Sequence, residues 1–136
     1  MNKFELDKRL NADCMTLGYL NDVIVDPEVK SAASLLLLMN KADFPWFVIV
    51  PMGVDVIDID ELTEQRQLQM LKEVNVLSAF LKRHYRVDKI NFASIGNIVQ
   101  QMHFHLVART EQDSAWPGVV WGASATKKYI MNKLNR

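Results

Sequence analysis

Residues 101–107 alternate polar and apolar side chains with the two-residue period of a β-strand. Successive side chains on a strand point to opposite faces, so Gln101, His103 and His105 are expected to share one face. The opposite face then carries the apolar residues Met102, Phe104 and Leu106. A core strand that gives one face to imidazoles either builds a site or buries polar groups at a cost in free energy.

A long amphipathic helix is predicted over residues 61–86. Thr63 is the expected N-cap, and Glu64 places negative charge in the first turn. Apolar residues then recur at steps of three and four and predict a single apolar face, formed by Leu68, Leu71, Val74, Leu77, Phe80 and Leu81. His84 and two arginines follow at the C-terminal end, where cations complement the helix dipole.

Strand-like runs lie on both sides of this helix. Residues 33–39 and 46–51 are separated by a polar turn, which predicts a hairpin. Residues 89–94 and 99–109 flank a short turn and predict a second hairpin. Strands grouped around one long helix are typical of an α+β fold with a mostly antiparallel sheet.

Three weaker signals complete the predicted architecture. Residues 17–20 suggest a short edge strand, and residues 26–30 suggest an irregular surface insertion. Residues 123–134 have the spacing of a C-terminal helix. At 136 residues and 49% hydrophobic, the chain suits one domain spanning residues 1–136.

Composition excludes several classes of function. Lys+Arg and Asp+Glu number 16 each, which argues against a nucleic-acid polymer as partner because such binding depends on neutralising phosphates. The single Cys14 excludes an internal disulfide and leaves no C-x-x-C pair for a metal. The N-terminus lacks the apolar run of a signal peptide, and the longest apolar run is too short to span a membrane. We expect a cytoplasmic protein without a membrane partner.

Imidazole suits two roles at neutral pH, nucleophile or general base on the one hand and metal ligand on the other. A metal site usually needs three or more ligands, and the third histidine, His84, lies on the predicted helix. Metal binding is therefore the poorer functional interpretation, and no metal or cofactor is expected. From spacing alone, polar residues on a half-exposed strand remain an equally good interpretation of His103 and His105.

The flanks of this strand resemble a known signature. Residues 96–109 contain a glycine, an amide residue, a short apolar run and then alternating histidine and apolar positions, which resembles the motif of the histidine triad (HIT) family. Residues 113–122 resemble the tail of a compact bacterial branch, and residues 36–40 and 45–51 resemble its central hairpin. The resemblance covers residues 17–122, with an insertion near residues 26–34.

The resemblance implies a fold and a chemistry. HIT proteins hydrolyse or transfer nucleotidyl groups, and His103 matches the middle histidine, the nucleophile that attacks an α-phosphorus. His105 matches the third histidine, which holds the phosphate and orients the first. Asn97 matches an amide position that contacts the phosphate, and Asn40 lies near the position that binds the ribose. Gln101 replaces the first histidine; it can orient a phosphate by hydrogen bonds but cannot shuttle a proton.

Two further residues are candidates for the substrate site. Arg109 either ends the strand or supplies the positive charge that a phosphate requires. Trp116, like Trp121, either packs a dimer interface or closes the nucleotide pocket. The family commonly pairs sheets edge to edge, which implies a homodimer.

The functional prediction is a HIT-type enzyme that uses His103 on a small-molecule nucleotide. The expected substrates are nucleoside phosphate esters, phosphoramidates and dinucleoside polyphosphates. The alternative is a nucleotide-binding regulatory module with little or no turnover.

Overall fold

One antiparallel sheet organises the computed structural model, which describes residues 4–124 and 127–129. Within that part of the chain the sheet has five strands: β1 (Cys14–Tyr19), β2 (Ser34–Met39), β3 (Trp46–Pro51), β4 (Lys89–Ala93) and β5 (Phe104–Arg109). The strand order is β1-β2-β3-β5-β4, and every neighbouring pair is antiparallel. The histidine-bearing strand β5 therefore lies inside the sheet, and β4 and β1 are its edges.

The strands confirm both predicted hairpins. In the first, Ser34 pairs with Pro51 and Leu38 with Phe47. In the second, β4 pairs with β5, but β5 begins at Phe104 rather than at residue 99. Residues 94–103 are an irregular connection, so the strand alternation that was predicted to align Gln101 with His103 does not extend that far.

The weaker predictions had mixed outcomes. The edge strand is longer than expected at Cys14–Tyr19, and Leu20 begins a short helix, α2 (Leu20–Val23). The predicted surface insertion at residues 26–30 is wrong in one respect, since Val29 is buried in the core and bridges Asp26. The predicted C-terminal helix at 123–134 lies largely outside the described residues.

The predicted long helix is α3 (Glu64–His84), which a 3-10 turn (Ile59–Glu61) precedes. Thr63 is its N-cap as predicted, because its Oγ1 accepts a hydrogen bond from the Arg66 N–H at 3.2 Å. The predicted apolar face is wrong in its first half, where Leu68 and Leu71 are 53% and 48% exposed.

The buried face of α3 is rotated so that it includes a carboxyl group. Met70, Glu73 and Val74 take the inward positions, and Glu73 Oε1 accepts a hydrogen bond from Ser34 Oγ at 2.8 Å. Burial raises the pKa of Glu73, which favours its uncharged form. A hydrogen-bonded glutamate can therefore take an interior position that a count of apolar residues assigns to leucine.

The two faces of the sheet have different partners. Phe104 and Leu106 point into the core between the sheet and α3. Alternation along β5 places His105, Val107 and Arg109 on the opposite face, where Leu10, Phe44 and Val120 belong to a second buried cluster. A first helix, α1 (Lys8–Asp13), covers part of this second face, and the cleft described below lies there.

Among the described residues, no helix combines the length and the apolar character that crossing a bilayer requires.

Candidate active site

A cleft of about 500 Å³ opens on the sheet face away from α3. Its walls are mostly apolar, and its polar lining residues are Asp13, Lys41, Asn97, His103 and His105. A mainly apolar cleft with a few convergent polar groups is the usual form of a small-molecule site.

His103 is held in one tautomer by the backbone. Its Nδ1 lies 2.6 Å from the Gln101 carbonyl oxygen, and its side chain is almost fully buried. A carbonyl oxygen only accepts hydrogen bonds, so Nδ1 carries the proton in the neutral ring. The lone pair of His103 is therefore on Nε2, the nitrogen that a nucleophilic imidazole requires.

His105 is held in the opposite tautomer, with its proton on Nε2, by a tryptophan. The Trp46 Nε1–H donates to His105 Nδ1 at 3.0 Å, so the neutral ring carries its proton on Nε2. The Trp46 and Trp121 rings contact the His105 ring edge to face, with centroid distances of 5.8 and 5.4 Å. Burial, with a smaller contribution from His103, lowers the pKa of His105 to about 4. His105 is consequently a neutral donor at physiological pH, and its ring lies 4.9 Å from that of His103.

Nothing in the sequence spacing signals the hydrogen bond between Trp46 and His105. Trp46→Phe keeps the ring packing and removes the donor, so we expect kcat to fall about tenfold, the value of one buried hydrogen bond. Trp121→Phe is the matched control, because Trp121 Nε1 has no hydrogen-bond partner among the described residues.

Ring ¹⁵N NMR spectra of the two variants test this role of Trp46 beside the kinetics. We expect His105 to lose its single Nε2–H tautomer in Trp46→Phe and to keep it in Trp121→Phe. An unchanged His105 spectrum in Trp46→Phe would contradict the orienting role.

Gln101 has a different position from the one that strand alternation predicts. Its side-chain Oε1 accepts from the Asp7 N–H at 2.7 Å, and its Nε2 donates to the Glu5 carbonyl oxygen at 2.8 Å. The described residues that line the cleft do not include Gln101. Its contact with His103 is made by its backbone carbonyl, so its side chain is bound to the N-terminal segment and is not directed at a substrate.

The two asparagines differ in their access to the cleft. Asn97 lines it and is exposed. Asn40 Oδ1 accepts from the Tyr129 N–H at 2.9 Å, and its neighbours Met39 and Lys41 line the cleft in its place. The expected ribose contact of Asn40 therefore has no support from the described geometry.

Arg109 makes structural contacts, which favour the first of its two expected roles, a residue at the strand end, over phosphate binding. It is 2% exposed, and its guanidinium donates to both carboxylate oxygens of Asp113, to Asn91 and to the Gly118 carbonyl. Arg109 also lies four residues beyond His105, about 13 Å along the strand. Trp116 packs over this guanidinium at 5.7 Å and not in the cleft, which Trp121 lines.

Lys41 is the cation that sequence reasoning missed. It is the only lysine or arginine among the described lining residues, and its Nζ lies 5.3 Å from the centroid of the Trp46 ring. No spacing pattern marks Lys41, because it is one polar residue among several in the predicted turn. Over residues 4–124 and 127–129, no group of three or more potential ligands is arranged to hold a metal ion.

These features define an α+β protein with a histidine-centred cleft, and comparisons with known proteins agree. A family model described as the HIT domain matches residues 28–112. The chain therefore belongs to the histidine triad family, whose members are in general nucleotide-binding hydrolases and transferases.

Solved structures extend the similarity over nearly the whole chain. Histidine triad proteins from Sinorhizobium meliloti and Marinobacter aquaeolei are 33% and 34% identical, each with a TM-score of 0.84, and each alignment covers 98% of this chain and 90% of the other. A histidine triad protein from Bradyrhizobium japonicum is 30% identical, with a TM-score of 0.83 and coverage of 98% and 92%. The comparison with curated proteins found no match.

Proposed function

We propose that the chain catalyses nucleotidyl transfer or hydrolysis through His103. The substrate is a nucleoside phosphate ester, a phosphoramidate or a dinucleoside polyphosphate, which reacts at its α-phosphorus. The observation that supports this most strongly is the 2.6 Å contact between His103 Nδ1 and the Gln101 carbonyl, which leaves Nε2 free for attack.

The reaction has two steps. His103 Nε2 forms a bond to the α-phosphorus while the bond to the leaving group breaks, and the leaving group departs with a proton from solvent. The ring is then a cation that keeps its Nδ1–H, and hydrogen bonds from a charged donor are stronger than neutral ones. Water next attacks the phosphorus and loses a proton to solvent, the N–P bond breaks, and a nucleoside monophosphate and neutral His103 are released.

The neighbouring groups stabilise the phosphoryl oxygens during these steps. His105 offers a neutral Nε2–H, and Asn97 offers an amide at the mouth of the cleft. Preorganised donors directed at developing charge are usually the largest electrostatic contribution to catalysis. Gln101 supplies no proton, so the leaving group takes its proton from solvent or departs as a weakly basic anion, which favours polyphosphates over simple alkyl esters.

Lys41 supplies the positive charge that was one of the two roles expected of Arg109. Lys41→Met keeps the apolar stem over Trp46 and removes the ammonium, and we expect KM to rise about 5- to 10-fold, the effect of one charge-assisted contact. Lys72→Met is the control, since Lys72 is exposed on α3, behind the sheet. An unchanged KM in steady-state kinetics with Lys41→Met would remove Lys41 from the substrate site.

A substrate panel tests the proposed function directly. Fluorogenic adenosine phosphoramidates and dinucleoside polyphosphates are incubated with the wild-type protein, and nucleoside monophosphate is measured. Turnover of at least one class is expected. Tight AMP binding without product over long incubation would favour the regulatory module over the enzyme.

We also propose a homodimer through the outer edge of β4. Phe92 on this edge strand is 47% exposed, whereas α1 and α2 flank the opposite edge strand, β1. An edge strand with bare backbone donors and acceptors normally needs a cover. We expect Phe92→Glu to be monomeric by sedimentation velocity and Tyr19→Glu, on β1 with 43% exposure, to remain dimeric. Dimers in both variants would exclude this edge.

A further inference from the structure

The cleft has one wall that precedes the sheet in the sequence. Residues 4–13, which we call the N-terminal strap, contain an extended stretch and helix α1. Leu10 of the strap is buried and lines the cleft together with Asp13. Phe4 and Leu6 pack against the buried cluster on the same sheet face. The position of the strap therefore decides the shape of the cleft.

Gln101 holds this strap at two points. Its amide accepts from the Asp7 N–H at 2.7 Å and donates to the Glu5 carbonyl at 2.8 Å. A primary amide has one donor group and one acceptor group. The Gln101 amide therefore bonds to a C=O and an N–H two residues apart in the strap, as the backbone of a neighbouring β-strand does. The two nitrogens of an imidazole ring do not present a donor and an acceptor side by side as an amide does. These two hydrogen bonds therefore explain why position 101 carries glutamine.

The same residue also orients the nucleophile. The Gln101 backbone carbonyl accepts the His103 Nδ1–H, and residues 94–103 have no sheet pairing that would fix residue 101. The two hydrogen bonds from the Gln101 side chain to the strap therefore fix the position of its backbone carbonyl, which in turn sets the His103 tautomer. A residue bonded at both ends in this way couples the strap to the reacting group.

A second contact ties the strap to the rim of the cleft. Arg9 Nη1 donates to the Ile98 carbonyl at 3.0 Å, and Arg9 is itself paired with Asp7 at 3.0 Å. The pKa of Asp7 is lowered, chiefly by Arg9 and to a smaller extent by His103. The strap carboxylate therefore lies within electrostatic range of the nucleophile.

We propose that Gln101 is a positioning residue that latches the N-terminal strap over the nucleotide cleft and thereby holds His103 in its reactive tautomer. The part that concerns nucleotides rests on the proposed function. The closed strap completes the cleft wall with Leu10, and release of the two amide bonds opens it. The glutamine then acts through its anchoring contacts and not as a replacement for the catalytic chemistry of a first histidine.

Two variants remove the latch from opposite sides. Gln101→Met preserves the length of the side chain and removes its amide. Asp7→Pro removes the N–H that donates to Gln101 Oε1, and the Asp7 φ of −54° is compatible with proline. Asp7→Ala is the matched control, because it loses the same carboxylate and helix cap but keeps the backbone N–H.

Amide hydrogen exchange without nucleotide tests the latch by itself. We expect exchange at residues 5–10 to be about tenfold faster in Gln101→Met than in the wild type, because local opening loses two hydrogen bonds. In Asp7→Pro we expect a similar increase in exchange rate at the remaining amides of residues 5–10. The increase in Asp7→Ala is expected to be smaller. Wild-type protection of the strap in Gln101→Met would overturn the proposal.

AMP titration and kinetics test the coupling to the site. We expect the Kd for AMP and the KM to rise about 3- to 10-fold in Gln101→Met. In a protein that already carries Asp7→Pro, adding Gln101→Met should raise Kd and KM little further. A lower kcat in Gln101→Met with an unchanged KM and a protected strap would overturn the proposal in favour of direct catalysis. If the wild type binds no AMP, the proposed function fails, whereas hydrogen exchange still decides whether the latch exists.

Discussion

His103→Asn is expected to abolish turnover, lowering kcat by at least about 10³-fold, as removal of a covalent nucleophile does. Asparagine can still donate a hydrogen bond to the Gln101 carbonyl, but it has no nitrogen lone pair at the position of Nε2. The loss therefore measures nucleophilic chemistry and not a change in packing. Steady-state release of nucleoside monophosphate from a fluorogenic phosphoramidate gives the value.

His84→Asn is the control for this substitution. His84 is exposed at the end of α3, with its ring against Phe80. The substitution His84→Asn therefore makes the same chemical change outside the cleft. Its kinetics should equal those of the wild type within about twofold. Comparable turnover by His103→Asn and the wild type would remove His103 from the mechanism.

Arg109→Met is expected to produce the largest loss of stability. The Arg109–Asp113 pair is buried, with side-chain exposures of 2% and 9%, and the substitution leaves the Asp113 carboxylate without its cation. Breaking a buried ion pair from one side typically costs about 3–5 kcal/mol in the free energy of unfolding. Urea denaturation followed by tryptophan fluorescence measures this free energy.

The same variant separates the structural role of Arg109 from a role in phosphate binding. Where Arg109→Met is folded, its KM should remain within about twofold of the wild type. Arg9→Met is the stability control, since its ion pair with Asp7 is at the surface and surface pairs contribute little. A stable Arg109→Met protein with a raised KM would restore the original expectation.

Periodic patterns allowed much of the fold to be predicted from the sequence. The cap at Thr63 and the two hairpins could be predicted because they depend on residues close together in the sequence. The rotation of α3 around Glu73 did not follow, because the Ser34 hydroxyl that satisfies this carboxyl lies 39 residues away in sequence. Long-range polar contacts of this kind leave no periodic signal.

The candidate site was predicted in part for the same reason. His103 and His105 could be identified from adjacent residues, and the structure brings their rings together. Lys41 and Trp46 come from another hairpin, and only the pairing of β3 with β5 brings them to His105. The two expected roles of Arg109, at the strand end or in phosphate binding, could not be separated from the sequence, because the alternation of β5 does not show that Asn91 and Asp113 surround it.

Gln101 shows how one residue can serve the site without touching the substrate. Its side chain binds the N-terminal strap, and its carbonyl binds His103. Strand alternation predicted that its side chain lies beside the histidines. Its side chain instead contacts Asp7 and Glu5, which lie 94 and 96 positions earlier in the chain.

Trapping the covalent intermediate tests the central claim most directly. Wild-type protein and His103→Asn are mixed with an adenosine phosphoramidate, quenched rapidly at alkaline pH and analysed by intact mass and peptide sequencing. An acid-labile adenylyl group on His103 is predicted in the wild type and none in the variant. Product formation without an adduct on His103, or an equal adduct in His103→Asn, would contradict the account.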